Sequence, residues 1–309
     1  MIFYYKTIDG EITRINDYES NCWVDCVSPS VEETNFLTQR FGVSIDFLRA
    51  SLDDEESPHI DSDHKNTLII IDIPVSNMEN GGISYNTIPL GIILTKENVI
   101  TVCLKQNAIL DEISHGVVRG VYTGLKSHFV LHIMLRMATK FLQNLKQIDK
   151  MSDQVEIELR KSMKNKELIQ LLEVEKSLVY FSASLKANET TLEKIMRGRI
   201  VKLYEDDKEL LEDVLIEIKQ AIEMSGIYLN ILSGTMDAFA SVISNNLNIV
   251  MKVLASITLI ISIPTVISSF YGMNTTPNLP FSDVLWFPLA LSGVLMAIVG
   301  IILKNSNML

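Results

Sequence analysis

The sequence predicts an α+β membrane protein: an N-terminal α/β cytoplasmic domain, then a long stalk helix that continues into the first of two C-terminal transmembrane helices. Three observations carry this. Two uncharged apolar segments, Val253 to Phe270 and Val284 to Leu303, are each long enough to cross about 30 Å of hydrocarbon at about 1.5 Å per helical residue. Residues 1 to about 120 alternate short β-rich runs with short helical patterns. From about Ser127 the pattern changes to long Lys-, Glu-, Leu- and Ile-rich stretches without proline until Pro264. The implied division is 1–126, an α/β domain; 127–251, a long-helix stalk domain; and 252–309, a transmembrane hairpin with spans at about 252–270 and 284–303.

In order along the chain, Ile2–Thr7, Trp23–Val27, Leu68–Ile73, Ile88–Thr95 and Val99–Leu104 read as strands, and Val31–Phe41 and Ser44–Ser51 as helices. Asn80-Gly81-Gly82 marks a turn, and hairpin-length links between the last strands predict mixed rather than purely parallel pairing. Breaks near Lys164-Asn165 and Gly198 divide the helical part into about 127–161, 166–196 and 205–270. The last of these would be about 100 Å long and runs through Lys252 into the first span.

Of 27 Lys+Arg only Lys252 and Lys304 follow Met251, and of 38 Asp+Glu only Asp283 does, so 25 basic and 37 acidic residues give the first 251 a net −12. Such a domain attracts cations and does not bind nucleic acid or anionic lipid by bulk charge. The loop from Tyr271 to Ser282 has no Lys or Arg, whereas Lys252 and Lys304 flank the hairpin, which places both termini in the cytoplasm of a cell membrane. The start, Met1-Ile2-Phe3-Tyr4-Tyr5-Lys6, has no secretory-signal pattern. Three cysteines, Cys22, Cys26 and Cys103, predict buried thiols rather than disulfides or a zinc site. With no Gly-rich phosphate loop and no nucleophile–base spacing, neither an enzyme nor ATP binding is expected.

Alternating steps of four and three from Asp237 trace Asp237, Ser241, Ser244, Asn248, Met251, Ala255, Thr258, Ser262, Thr265, Ser269 and Gly272, all small or polar except Met251. The neighbouring stripes are mostly large and apolar. A 3.5-residue period holds one face at the centre of a left-handed bundle. Small residues also let membrane helices pack closely, as Ala290, Gly293, Ala297 and Gly300 do by pattern on the second span. Packing does not account for Asp237 and Asn248, because polar groups at or near membrane depth usually face a bundle interior or water. Two spans cannot enclose a polar path, so conduction requires a homo-oligomer. Such a path suits hydrated Mg²⁺, with Met251 and Leu254 as an apolar neck and Pro264 freeing carbonyls further out.

Tyr271-Gly272-Met273-Asn274, ending the first of two such spans, resembles the signature of the CorA family of magnesium transporters. So do Trp23-Val24-Asp25 with Pro29 and Glu32-Glu33, Leu52-Asp53 through Pro58, and Asn248 to Leu254. The resemblance covers almost the whole chain. It implies a homopentamer gated by cytoplasmic Mg²⁺, with first spans as the inner ring. Gly272, Met273 and Asn274 would form the external filter, and Asn248, Met251 and Leu254 the inner pore. Asp237 would form an acidic ring, and Asp213 would help hold regulatory Mg²⁺ between subunits. The chain departs from the family in a Pro264–Tyr271 spacing one residue shorter, which leaves the register between Ala255 and Ser269 open, in an external loop without acidic residues and in a tail without a basic cluster. A Zn²⁺, Co²⁺ or Ni²⁺ transporter of the same architecture and a non-conducting membrane-anchored coiled-coil sensor are the competing readings.

His128 and His132, spaced i, i+4 on a predicted helix, could share a metal, but no carboxylate stands at readable spacing, which favours a surface or interface role. His59-Ile60-Asp61-Ser62-Asp63-His64 reads as a solvated loop. Asp53-Asp54-Glu55-Glu56 reads equally as an ion partner or a solvated turn.

Overall fold

The computed structural model describes residues 1–63, 65–79, 82–162, 165–198, 203–273, 284, 286–306 and 308. Contacts divide it into two units, Met1–Gly234 and Thr235–Leu309. The first holds β1 (Ile2–Ile8), β2 (Glu11–Ile15), β3 (Trp23–Val27), α1 (Val31–Phe41), α2 (Ile45–Ser51), β4 (His59–Ser62), β5 (Thr67–Glu79), β6 (Gly82–Leu94), β7 (Val99–Cys103), α3 (Ala108–Ser114), α4 (Lys126–Ser162) and α5 (Asn165–Met196). Helix α6 runs Glu205–Tyr271 with Pro264 inside it, and α7 runs Trp286–Asn305.

The seven strands form one sheet ordered β2-β1-β3-β7-β6-β5-β4. Only β3–β7 is parallel; the other pairings are antiparallel, the mixed pattern expected from the short links. Strands β3 and β7 lie at the centre and are buried almost throughout, so Trp-Val-Asp-Cys-Val and Val-Ile-Thr-Val-Cys are near-continuous apolar runs rather than alternating ones. On one face Val24, Cys26, Ile100 and Val102 pack with Leu37 of α1 and Phe47 and Leu48 of α2. On the other, Trp23 lies against Phe129 of α4, with ring centroids 5.3 Å apart. Helix α1 begins with a complete capping box, Ser30 with Glu33, and ends at Gly42 with φ 64°.

Strands β5 and β6 run well past the expected Leu68–Ile73 and Ile88–Thr95, continuing through Pro74 and Pro89. The prolines are tolerated because of where their missing N–H groups would point. Asp72, opposite Pro89, gives its N–H outward to Asn188, so this is a non-hydrogen-bonded pair, and Pro74–Thr87 two residues on is of the same kind. No ladder bond is lost. Pairing continues to Glu79–Gly82; Asn80 and Gly81 of the expected turn lie outside the described residues. The loop expected at His59–His64 is corrected: His59–Ser62 is edge strand β4, paired with Thr67–Ile70. Strand β2 and helix α3 are additions to the expected elements.

Within the first unit α6 buries Leu211, Val214, Ile218, Ala221, Ser225 and Leu232, a three–four alternation against the helical layer. Ser225 Oγ donates to the Leu178 carbonyl of α5 at 3.2 Å, and Ser233 Oγ to Glu175 at 3.1 Å. Within the second unit, Ser256 and Ile267 of α6 and Ser292 and Leu303 of α7 are buried, and Ser256 Oγ donates to the Met308 carbonyl. Both α6 and α7 are long and apolar enough to cross a membrane.

Candidate functional site

Helix α6 carries nearly all of the sequence-predicted ion-path residues. Asp237, Ser244, Asn248, Met251, Leu254, Thr258, Ser262 and Thr265 are all exposed on it. The face that includes Ser256, Ile260, Ile263 and Ile267 is the more covered one, so the polar stripe is left uncovered in the single chain. Gly272 and Met273 follow the end of α6 and are exposed; Asn274 lies outside the described residues.

Four of the six hydroxyls of the stripe turn back onto their own helix. Ser241 Oγ donates to the Asp237 carbonyl (3.0 Å), Thr258 Oγ1 to Leu254 (2.8 Å), Ser262 Oγ to Leu259 (2.8 Å) and Thr265 Oγ1 to Ile261 (3.4 Å). A carbonyl can only accept, so each hydroxyl proton is committed to the helix and each oxygen keeps its lone pairs for whatever lies alongside. At the end of the helix the Gly272 N–H still reaches the Ser268 carbonyl at 2.9 Å, and a Cβ at Gly272 would stand 3.1 Å from that oxygen. A side chain there would fit only if the Ser268 carbonyl gave way by a few tenths of an ångström.

Asp213 is exposed on the outer side of α6, next to buried Leu211 and Val214. Among the described residues no group of three or more His, Cys, Asp or Glu is arranged to hold a metal, and the candidate pore and regulatory residues do not converge within one chain. The three cysteines are buried and unbridged, and burial pushes the Cys26 thiol well above its ordinary value. At Asp53 the side chain accepts the Glu55 N–H in a local turn.

The histidine pair requires a correction, because a carboxylate does join it. Asp207, in the first turn of α6, stands 3.2 Å from His128 Nδ1, and His128 Nε2 stands 3.1 Å from His132 Nε2. The partner comes from 79 residues along the chain, so no local spacing pattern could have signalled it. Burial and the neighbouring His128 lower the His132 pKa.

The class defined by these elements is a membrane protein with an N-terminal α/β domain and a long helix that becomes the first of two apolar spans. The chain belongs to the CorA-like Mg²⁺ transporter family, whose model matches residues 18–305. It is 27% identical over 292 residues to the cobalt/magnesium transport protein CorA of Methanocaldococcus jannaschii, covering 92% of this chain and 90% of that one. Over 334 residues it is 25% identical to the cobalt/magnesium transport protein CorA of Thermotoga maritima, covering 99% and 88%. Among solved structures, the complete CorA magnesium transporter from M. jannaschii superposes with a TM-score of 0.84 at 23% identity, covering 100% of this chain and 99% of that one. The ZntB cytoplasmic domain from Vibrio parahaemolyticus shares the fold at a TM-score of 0.60 and 14% identity, over 80% of this chain and 97% of that one.

Proposed function

We propose that five copies of this chain form a divalent-cation channel that admits Mg²⁺ down its electrochemical gradient, with the α6 stripe turned to the axis. The observation that carries this reading is the stripe itself: small and polar at a 3.5-residue period, uncovered in the single chain, with the hydroxyl protons of Ser241, Thr258, Ser262 and Thr265 engaged by their own helix and those oxygens left to accept. Mg²⁺ sheds water reluctantly, and its hydration shell donates hydrogen bonds that such acceptor oxygens can receive. Asn248 and Asp237 meet the hydrated ion on the cytoplasmic side, Met251 and Leu254 form the neck that dewets when closed, and Gly272, Met273 and Asn274 form the outer filter. Residues 1–126 and 127–251 act as cytoplasmic domain and stalk, and 252–309 as the membrane hairpin, with both termini inside. A membrane potential contributes about 2.3 kcal/mol per charge per 100 mV, about twice that for a divalent ion, and directs flow inward without ATP.

Cytoplasmic Mg²⁺ at Asp213 is the proposed closing ligand. Among the described residues no metal-holding group of His, Cys, Asp or Glu includes Asp213, so the remaining ligands would come from a neighbouring subunit. Residues 1–251 carry −12 per chain, so in five copies this part carries about −60, a repulsion that bridging cations relieve.

Because both curated relatives are named for cobalt as well as magnesium, Co²⁺ is the second ion to test. In proteoliposomes holding the reconstituted chain, Mg²⁺ influx should exceed that of Zn²⁺ and should fall to background in Asn274→Ala. Undiminished influx in that variant overturns the filter, and uptake of Co²⁺ or Zn²⁺ without Mg²⁺ overturns the ion.

A further inference from the structure

We infer that His128 and His132 form a transition-metal site in the cytoplasmic unit, separate from the proposed ion path and made of nitrogen rather than oxygen. Both lie in the first two turns of α4, on the same face, with ring centroids 4.6 Å apart and planes at 84°. Their Nε2 atoms are 3.1 Å apart. Two metal–nitrogen bonds of about 2.0–2.1 Å closing on such an edge meet at about 95–100°, between the octahedral and tetrahedral angles.

The outer side of the pair is already in order. An ionised carboxylate only accepts, so His128 Nδ1 donates to Asp207, and the His128 Nε2 lone pair faces His132. This is the carboxylate–histidine relay that fixes the tautomer of metal-bound imidazoles. Asp207 is itself held, its second oxygen accepting the Tyr204 N–H at 3.0 Å, and it is 3% exposed.

In the metal-free chain His132 Nε2–H donates to His128, and His132 Nδ1 is buried with no hydrogen-bond partner. Metal binding moves the His132 proton from Nε2 to Nδ1, with no net proton release, and both Nε2 lone pairs then meet the cation. A quarter of the His128 side chain is exposed, and His128 lines an open cleft of about 1380 Å³, which gives an ion a way in. No third His, Cys, Asp or Glu among the described residues completes the set, so water fills the other positions. Imidazole favours Ni²⁺, Cu²⁺, Co²⁺ or Zn²⁺ over Mg²⁺, which prefers oxygen. A bound ion would polarise His128 and strengthen the His128–Asp207 hydrogen bond that already joins the start of α4 to the first turn of α6.

The test is calorimetric titration of Ni²⁺ into the untagged full-length chain in detergent, with millimolar Mg²⁺ present to occupy oxygen sites. One Ni²⁺ per chain is expected, lost in His128→Gln and in His132→Gln, and weakened ten- to a hundredfold in Asp207→Asn. Cu²⁺ on the wild-type chain should give an electron paramagnetic resonance spectrum with two imidazole nitrogens, a readout that needs no variant to fold. Unchanged Ni²⁺ binding in His132→Gln, or a spectrum with fewer than two nitrogens, overturns the site. The readout is binding rather than flux, so a chain that carried no Mg²⁺ would still answer it.

Discussion

Asp25 sits in the middle of the sheet with its carboxylate accepting from Thr101 Oγ1 at 2.8 Å, while Thr101 in turn accepts from Trp23 Nε1 at 2.8 Å. Burial pushes its pKa from 3.8 to about 6. Between those values the folded chain keeps a proton that the unfolded chain has lost, so stability falls as pH rises from about 4 to about 6 and stays lower above that. The shift corresponds to at most about 3 kcal/mol. Asp25→Asn should flatten thermal midpoints measured across this pH interval. A slope equal to that of the wild type would show that the charge is not the cause. Gly91 on β6 is a second sensitive position: a Cβ there would lie 1.9 Å from Ser51 Oγ and 2.4 Å from Ser51 Cβ on α2. Gly91→Ala should lower stability by about 1–3 kcal/mol in chemical denaturation, because the fully buried Ser51 has no open side to move into. At this scale the Trp23-Val24-Asp25 motif was legible as a family feature. The Asp25–Thr101–Trp23 relay and the Asp207–His128 pair were not, because each joins residues more than 70 positions apart.

Helices were the most legible elements. The expected 127–161, 166–196 and 205–270 differ from α4, α5 and α6 by a residue at most of their ends, since long periodic stretches with clear breaks leave little choice. Strands were less legible, and the reason is local. A proline normally ends a central strand, yet β5 continues past the expected Leu68–Ile73 through Pro74, because there it has outlasted its β4 neighbour and faces α5 instead. Asn188 takes the place of the absent strand: its Oδ1 accepts the Asp72 N–H at 2.9 Å and its Nδ2 donates to the Asp72 carbonyl at 2.8 Å. Asn188→Leu would leave both part-buried backbone groups unpaired, at up to about 1–3 kcal/mol each. The expected result is a loss of several kcal/mol in denaturant unfolding and faster amide exchange at Asp72. β2 and β4, polar edge strands, carry too little apolar alternation to be read from sequence.

For the whole molecule, the polar stripe and the two spans could be read from sequence because a 3.5-residue period and two apolar stretches are one-dimensional signals. Partners for Asp213 could not, since among the described residues no group of three or more His, Cys, Asp or Glu is arranged to hold a metal. Mg²⁺ influx through the wild-type assembly should therefore fall as internal Mg²⁺ is raised. Asp213→Ala should relieve most of that inhibition while leaving influx at zero internal Mg²⁺ intact. Inhibition of equal depth in the variant would remove Asp213 from gating. Native mass spectrometry of the detergent-solubilised chain should give five subunits, and a monomer as the conducting form would end the proposed path.

The inward-bound hydroxyl protons of Thr258, Ser262 and Thr265 bear on rejection as well as passage. Chloride or phosphate drawn into such a corridor would search for a donor and meet only oxygen electron density, with no arginine, lysine or free amide hydrogen along those turns. In the proposed assembly, repulsion of negative solutes would thus be written into the rotamers of neutral side chains, and it should persist in Asp237→Asn.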